Sequence, residues 1–273
     1  MNKEEKSFFG AVAILDIIGF GSRMKSLGIE EMRDKVIGGI IRSTYFAYRI
    51  VKNDFERFNH FSGDKLKPGI LYFADSIILY LPLGEKSVFS IPKNIIDSMI
   101  FMCSLLIAQS ICINIPLRGA ISFGECMVSY DPVFILGKPF IEAHYLEKQQ
   151  MWAGAVLAKS AKDLYNNTNL ARVVEYDVPC KVKGQPKLIK HTAVKWPENL
   201  TASNIEEDFP DWNSCFYCSE KDEDIQSDVQ EKKKNTIEFF KRYKDNSSGI
   251  TFGKEQKNNV GDWREIYQKL KYF

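Results

Sequence analysis

Two carboxylates, Asp16 and Asp75, each interrupt an apolar run of strand-like composition, AILDIIGFG at 13–21 and GILYFADSIILYLP at 69–82. An ionised carboxylate held away from water needs a cation, a metal or hydrogen-bond donors. Two of them side by side make a site for a divalent cation whose remaining ligands are a substrate's phosphates. Gly19 and Gly21 follow Asp16 closely. Glycine lets a backbone approach a ligand, so Ile17, Ile18, Gly19 and Phe20 are expected to present N–H groups to those phosphates. An Asp at a strand end also serves as an ordinary turn or cap residue, and the pair alone leaves both readings open.

The elements that must position these residues are legible as periodicity. Residues 8–18 read as a central strand, and MRDKVIGGIIRSTYFAYRIVKND then carries apolar residues at helical spacing through Ile37, Ile40, Ile41, Tyr45 and Tyr48. The run 69–82 reads as a hairpin with Asp75 at its tip. MIFMCSLLIAQSICI, 99–113, is too short and too interrupted for a membrane span and reads as a buried helix. IPLRGAISFGECMVSY predicts two short strands around Gly124, and Pro139 opens a helix. AGAVLAKSAKDLYNN predicts a further helix, followed by strands near ARVVEYDVP and LIKHTAVKWP. The order is β, α, ββ, α, ββ, α, an α/β mixture of the α+β kind. Residues 198–234 shift to polar composition and read as a linker or surface excursion, with helical spacing returning in NTIEFFKRYKD and GDWREIYQKLKYF. The expected division is a main domain over 1–197 and a helical extension over 198–273.

Composition bounds the partners. The 273 residues are 45% hydrophobic and 26% charged with a net charge of +2, which carries no nucleic-acid footprint. The polar N-terminus and an apolar run containing Asp16 do not read as a signal peptide, so the expected location is cytoplasmic, away from the membrane. Of six cysteines only CFYC, 215–218, has ligand-like spacing, and it lacks the second pair that a structural zinc site needs.

Four of these segments, taken together, resemble class III nucleotidyl cyclases. LDIIGF is similar to their Asp-hydrophobic-hydrophobic-Gly-Phe signature, and YFADSIILYLP to their Gly-Asp hairpin with Ala74 in place of Gly. PLRGAISFGE resembles their Arg/Gly-rich strand pair, and GKPFIEAHYLEK their Gly-x-x-Val-Asn-x-Ala-x-Arg-Leu-Glu helix. The match spans about residues 8–190. It implies a ferredoxin-like palm, two Mg²⁺ or Mn²⁺ ions at Asp16, Ile17 and Asp75, a nucleoside triphosphate substrate, and active sites shared between the subunits of a homodimer.

The departures are informative. Where purine cyclases of the family carry a base-reading Lys or Glu, four before the hairpin Asp, this chain has Leu71; at the second base-reading position it has Phe134. The transition-state helix has Ile141 for Asn and Tyr145 for Arg. A cyclase stabilises charge on the α-phosphate with a cation, so that role falls to Arg118, Lys148 or Lys183, or is lost. Lys183 lies in KVKGQPK, similar to the family's late lysine-bearing hairpin. These departures resemble the pyrimidine cyclases of bacterial anti-phage defence, which make cyclic UMP or cyclic CMP for a downstream effector. In that branch an aromatic from the first helix narrows the base pocket, and Tyr45 is the matching residue. Tyr45 is equally readable as core, and Arg118 as the partner of a surface carboxylate. An adenylate or guanylate cyclase with an unfamiliar pocket and a catalytically inactive cyclase-like domain remain open.

Overall fold

The computed structural model describes residues 5–58, 68–83, 92–130, 133–165, 172–200, 210–218 and 223–244. The expected helix at 261–273 lies outside the described residues. The apolar run at the N-terminus lacks polar alternation because strand β1, Lys6–Ile17, is covered on both faces: Ala11 to Leu15 are consecutive and buried. It leads through Gly19 into helix α1, Phe20–Ser26, then α2, Ile29–Glu31, a π-helical turn, Met32–Ile37, and α3, Gly38–Phe58. The hairpin is β2, Gly69–Phe73, and β3, Ser76–Pro82. Helix α4, Pro92–Cys112, follows; it is apolar all round and lies in the core beside α3. It alone among the described residues is long and apolar enough to cross a membrane.

Strand β4, Leu117–Tyr130, is one long strand rather than the two expected around Gly124. Gly124 has φ +153°, and a Cβ there would meet Pro139 Cγ at 2.9 Å, so the glycine marks a close approach and not a turn. Strand β5, Val133–Gly137, folds back on β4 and runs into α5, Lys138–Gln149. Over 153–165 the expected helix is replaced by a buried strand, β6, Gly154–Leu157, and a single helical turn, α6, Lys159–Lys162. A run of small and branched apolar residues suits a fully buried strand as well as a helix, and parallel pairing with β4 decides it. The long hairpin of β7, Val173–Val182, and β8, Gln185–Val194, completes the sheet.

The strands lie in the order β2-β3-β1-β4-β6-β8-β7, with β5 also on β4. The first four strands and the two helical connections between them make a βαββαβ unit of spatial order 2-3-1-4, the ferredoxin-like palm expected from the sequence. Two α-helices follow the sheet among the described residues: α7, Trp212–Cys215, against the end of α4, and α8, Glu223–Tyr243, against residues beyond this unit. Helix α8 starts well inside the stretch read as linker. On α8, Phe239 is fully buried and meets Trp152 edge-on at 4.4 Å and Tyr176 at 4.9 Å.

The β2–β3 turn is Ala74-Asp75, and Ala74 holds φ +55°. A side chain disfavours that region, so Ala74→Gly is expected to raise stability by about 1 kcal/mol, read as a higher urea midpoint at unchanged slope.

Candidate active site

Strand pairing puts the two carboxylates together. Asp16 is opposite Ser76 of β3, and the Ile17 N–H donates to the Asp75 carbonyl at 3.1 Å across the hairpin turn. Antiparallel pairing on the other side sets Arg118 of β4 directly opposite Asp16. Its Nε and Nη2 both donate to Asp16 Oδ2, at 3.2 and 3.1 Å. Arg118 Nη1 donates to the Gln150 carbonyl at 3.1 Å, which fixes the guanidinium at the C-terminal end of α5. The cation that Asp16 requires is therefore supplied inside the chain.

A third carboxylate, Glu147 of α5, completes the cluster. Its Oε1 is 2.7 Å from Arg118 Nε, an ion-pair contact without a directed hydrogen bond, so one guanidinium faces two carboxylates. Side-chain exposure is 15% for Asp16, 17% for Arg118 and 3% for Glu147, so the cluster is poorly solvated. Burial raises the Asp16 pKa, and the Asp75 charge adds to this while Arg118 opposes it. Burial also lifts Glu147, to about 7, with Asp16 adding to the rise. A carboxyl whose folded pKa is raised binds protons that the unfolded chain has released, so it lowers stability as pH climbs from about 4.5 to about 7. In metal-free protein Glu147→Gln is therefore expected to flatten the loss of stability over that window, measured by urea unfolding at pH 5 and pH 7.

A hard divalent cation fits this setting. Asp16 and Asp75 both offer carboxylate oxygens, and Asp16 feels the Asp75 charge across the turn. Among the described residues no group of three or more His, Cys, Asp or Glu side chains is placed to hold a metal by itself, CFYC included. An ion at the two aspartates would draw its other ligands from backbone, water or substrate phosphate.

The remaining expected residues are spread out. The N–H groups of Ile17 and Ile18, expected to face phosphates, donate to the carbonyls of Asp75 and Pro116, at 3.1 and 2.9 Å. Gly19, at φ +76°, and Phe20 form the turn into α1. Leu71 is buried on β2 opposite Ile78. Phe134 is half-buried on β5 opposite Ser129, eleven residues along β4 from Arg118, and so sits at the far end of that strand from Asp16. Tyr145 and Ile141 project from α5, 65% and 67% exposed. Tyr45 is half-buried on α3, with the Arg49 guanidinium 5.8 Å from its ring centre. Lys183 caps the β7–β8 hairpin, which extends beyond the pairing of β8 with β6 at Val156 and Ala193. Within one chain, then, Asp16, Ile17, Asp75, Gly19, Phe20 and Arg118 belong to one neighbourhood, whereas Phe134 and Lys183 sit on other parts of the sheet.

Glu147 had no role assigned by sequence reasoning, although its spacing from Pro139 and Ala143 places it on the buried face of α5. A carboxylate at a core position was the available signal. The burial of Arg23 had none, because nothing local distinguishes a basic residue after a turn from a solvated one.

No family model matches the sequence, and no curated protein matches it. Among solved structures the chain is similar to the catalytic core of a rhodopsin-guanylyl cyclase with converted specificity in complex with ATPαS, at 12% identity and a TM-score of 0.47, covering 70% of this chain and 98% of that one.

Proposed function

We propose that the protein is a nucleotidyl cyclase that converts a nucleoside triphosphate to its 3′,5′-cyclic monophosphate and pyrophosphate, with UTP or CTP as substrate. The observation that carries the reading is the placement of Asp16 and Asp75 at adjoining ends of β1 and the β2–β3 turn of the palm. Mg²⁺ or Mn²⁺ bound there supplies Lewis acidity to the ribose 3′-hydroxyl and charge neutralisation to the triphosphate. Asp16 and Asp75 would hold the ions, with Ile17 beside them. The 3′-oxygen gives its proton to solvent and bonds to the α-phosphorus as the bond to the β-phosphate oxygen breaks, releasing pyrophosphate. Arg118, already in the cluster beside Asp16, is the cation this reading assigns to charge that develops on the phosphates.

The base end of the site is supplied by a second copy. Phe134 and Tyr145 belong to β5 and α5, whose exposed apolar side chains Val133, Leu136, Ile141 and Tyr145 suit burial against another subunit. Phe134 is remote from Asp16 along its own sheet, which supports a composite site in a homodimer. Leu71 and Phe134 lack hydrogen-bonding side chains, which favours a one-ring base over a purine. A role in anti-phage signalling through a cyclic-nucleotide effector and a cytoplasmic location are parts of the same proposal, as is the division into a catalytic domain and an extension at 197/198.

One observation favours a second reading, an inactive cyclase-like domain: Asp16 is already neutralised by Arg118 without any metal. Incubation of the purified protein with ATP, GTP, CTP or UTP and Mn²⁺, with products identified by mass, separates the two. A cyclic pyrimidine nucleotide is expected, and no cyclic product from any of the four would refute the cyclase reading.

A further inference from the structure

The turn between Asp16 and α1 is held from the sheet side by the bonds of Ile17 and Ile18. It is held from the other side by a segment nearly two hundred residues away. Arg23 of α1 is buried, and its Nη2 donates to the carbonyls of Asn114, Ser214 and Cys215 at 2.8, 3.2 and 2.8 Å. Ser214 and Cys215 end α7, where helix geometry leaves carbonyls without N–H partners, and the guanidinium satisfies them. The same segment continues past Gly19: the Tyr217 carbonyl is 3.7 Å from where a Gly19 Cβ would be. Ser22 Oγ and Cys218 Sγ are 3.9 Å apart. Buried Cys215 and Phe216 anchor it, with Cys215 Sγ 3.3 Å from Asn114 Oδ1. Arg23 Nε is buried without a hydrogen-bond partner. A buried, incompletely bonded cation is a poor source of net stability, and what its Nη2 provides is a tie from α1 to the two segments that carry Asn114 and Ser214–Cys215.

We infer that residues 210–218 are a strap that sets the conformation of the turn after Asp16, with Arg23 as the positioning residue, so that triphosphate binding depends on a segment outside the palm. This rests on the cyclase reading, and its test uses a probe that carries no base. Binding of Mn²⁺ with inorganic tripolyphosphate is measured by calorimetry for the full chain, Arg23→Ala, and Arg23→Ala combined with Ser22→Cys. Loss of the clamp is expected to weaken binding about tenfold or more. Oxidation of the double variant, joining the introduced thiol to Cys218, is expected to restore it, and reduction to reverse the restoration; a role in stability alone would not follow the redox state of that bond. Unchanged binding in a folded Arg23→Ala protein overturns the strap while leaving the cyclase reading intact. A wild-type protein that binds no Mn²⁺–tripolyphosphate overturns both. Where Arg23→Ala does not fold, Ser22→Cys alone decides: equal affinity oxidised and reduced supports a strap that stays docked, and about tenfold weaker binding on oxidation overturns it, because the segment would then have to lift.

Discussion

Asp75→Asn is expected to abolish cyclic nucleotide formation, a loss of about a thousandfold or more, while the fold survives. Asp75 is half-exposed at a two-residue turn, outside the core, so an amide there disturbs little packing. What it removes is one of the two charges on which the proposed divalent cation would depend. Asp16→Asn is expected to be as damaging to turnover, with a different structural consequence: Arg118 loses its partner on β1 and retains Glu147. Thermal unfolding separates a folded, inactive variant from a collapsed one, and Mn²⁺ titration reads the metal directly. Near-normal turnover in either variant would remove the aspartates from the metal site.

Selectivity among bases is the second large effect. In competition at equal concentration, pyrimidine products are expected to exceed purine products by about a hundredfold in relative kcat/KM. A purine bound against Leu71 and Phe134 would bury polar groups that these side chains do not meet, at about 1–3 kcal/mol for each unpaired group. In the proposed composite site the ring of Phe134 would oppose a second fused ring, and Tyr45 would add aromatic volume. The assay is mass identification of cyclic products from a mixture of ATP, GTP, CTP and UTP. Cyclic AMP or cyclic GMP as the main product would replace the pyrimidine assignment with an ordinary purine cyclase.

The amino-acid sequence by itself determined the order of elements in the palm, because their signals are local, whereas the palm as a fold was implied by the resemblance of four motifs to class III cyclases. An apolar run with Asp16 near its end, a hairpin broken at Ala74-Asp75 and the apolar run over 99–113 each declare their type within a few residues. The juxtaposition of Asp16 and Asp75 followed from the usual adjacency of such elements. Three features needed the tertiary structure. Residues 154–157 form a strand because β4 offers a parallel edge, and a short apolar run carries no period that says so. The partner of Asp16 is Arg118, 102 residues away, because antiparallel register sets them opposite, and register depends on every pair along the two strands. The strap at 210–218 reaches the turn after Asp16 because Arg23 finds the carbonyls at the end of α7, a contact between groups that every chain carries and no local pattern announces. Periodicity reports how a segment meets water, whereas pairing between distant polar groups depends on where the whole chain places them.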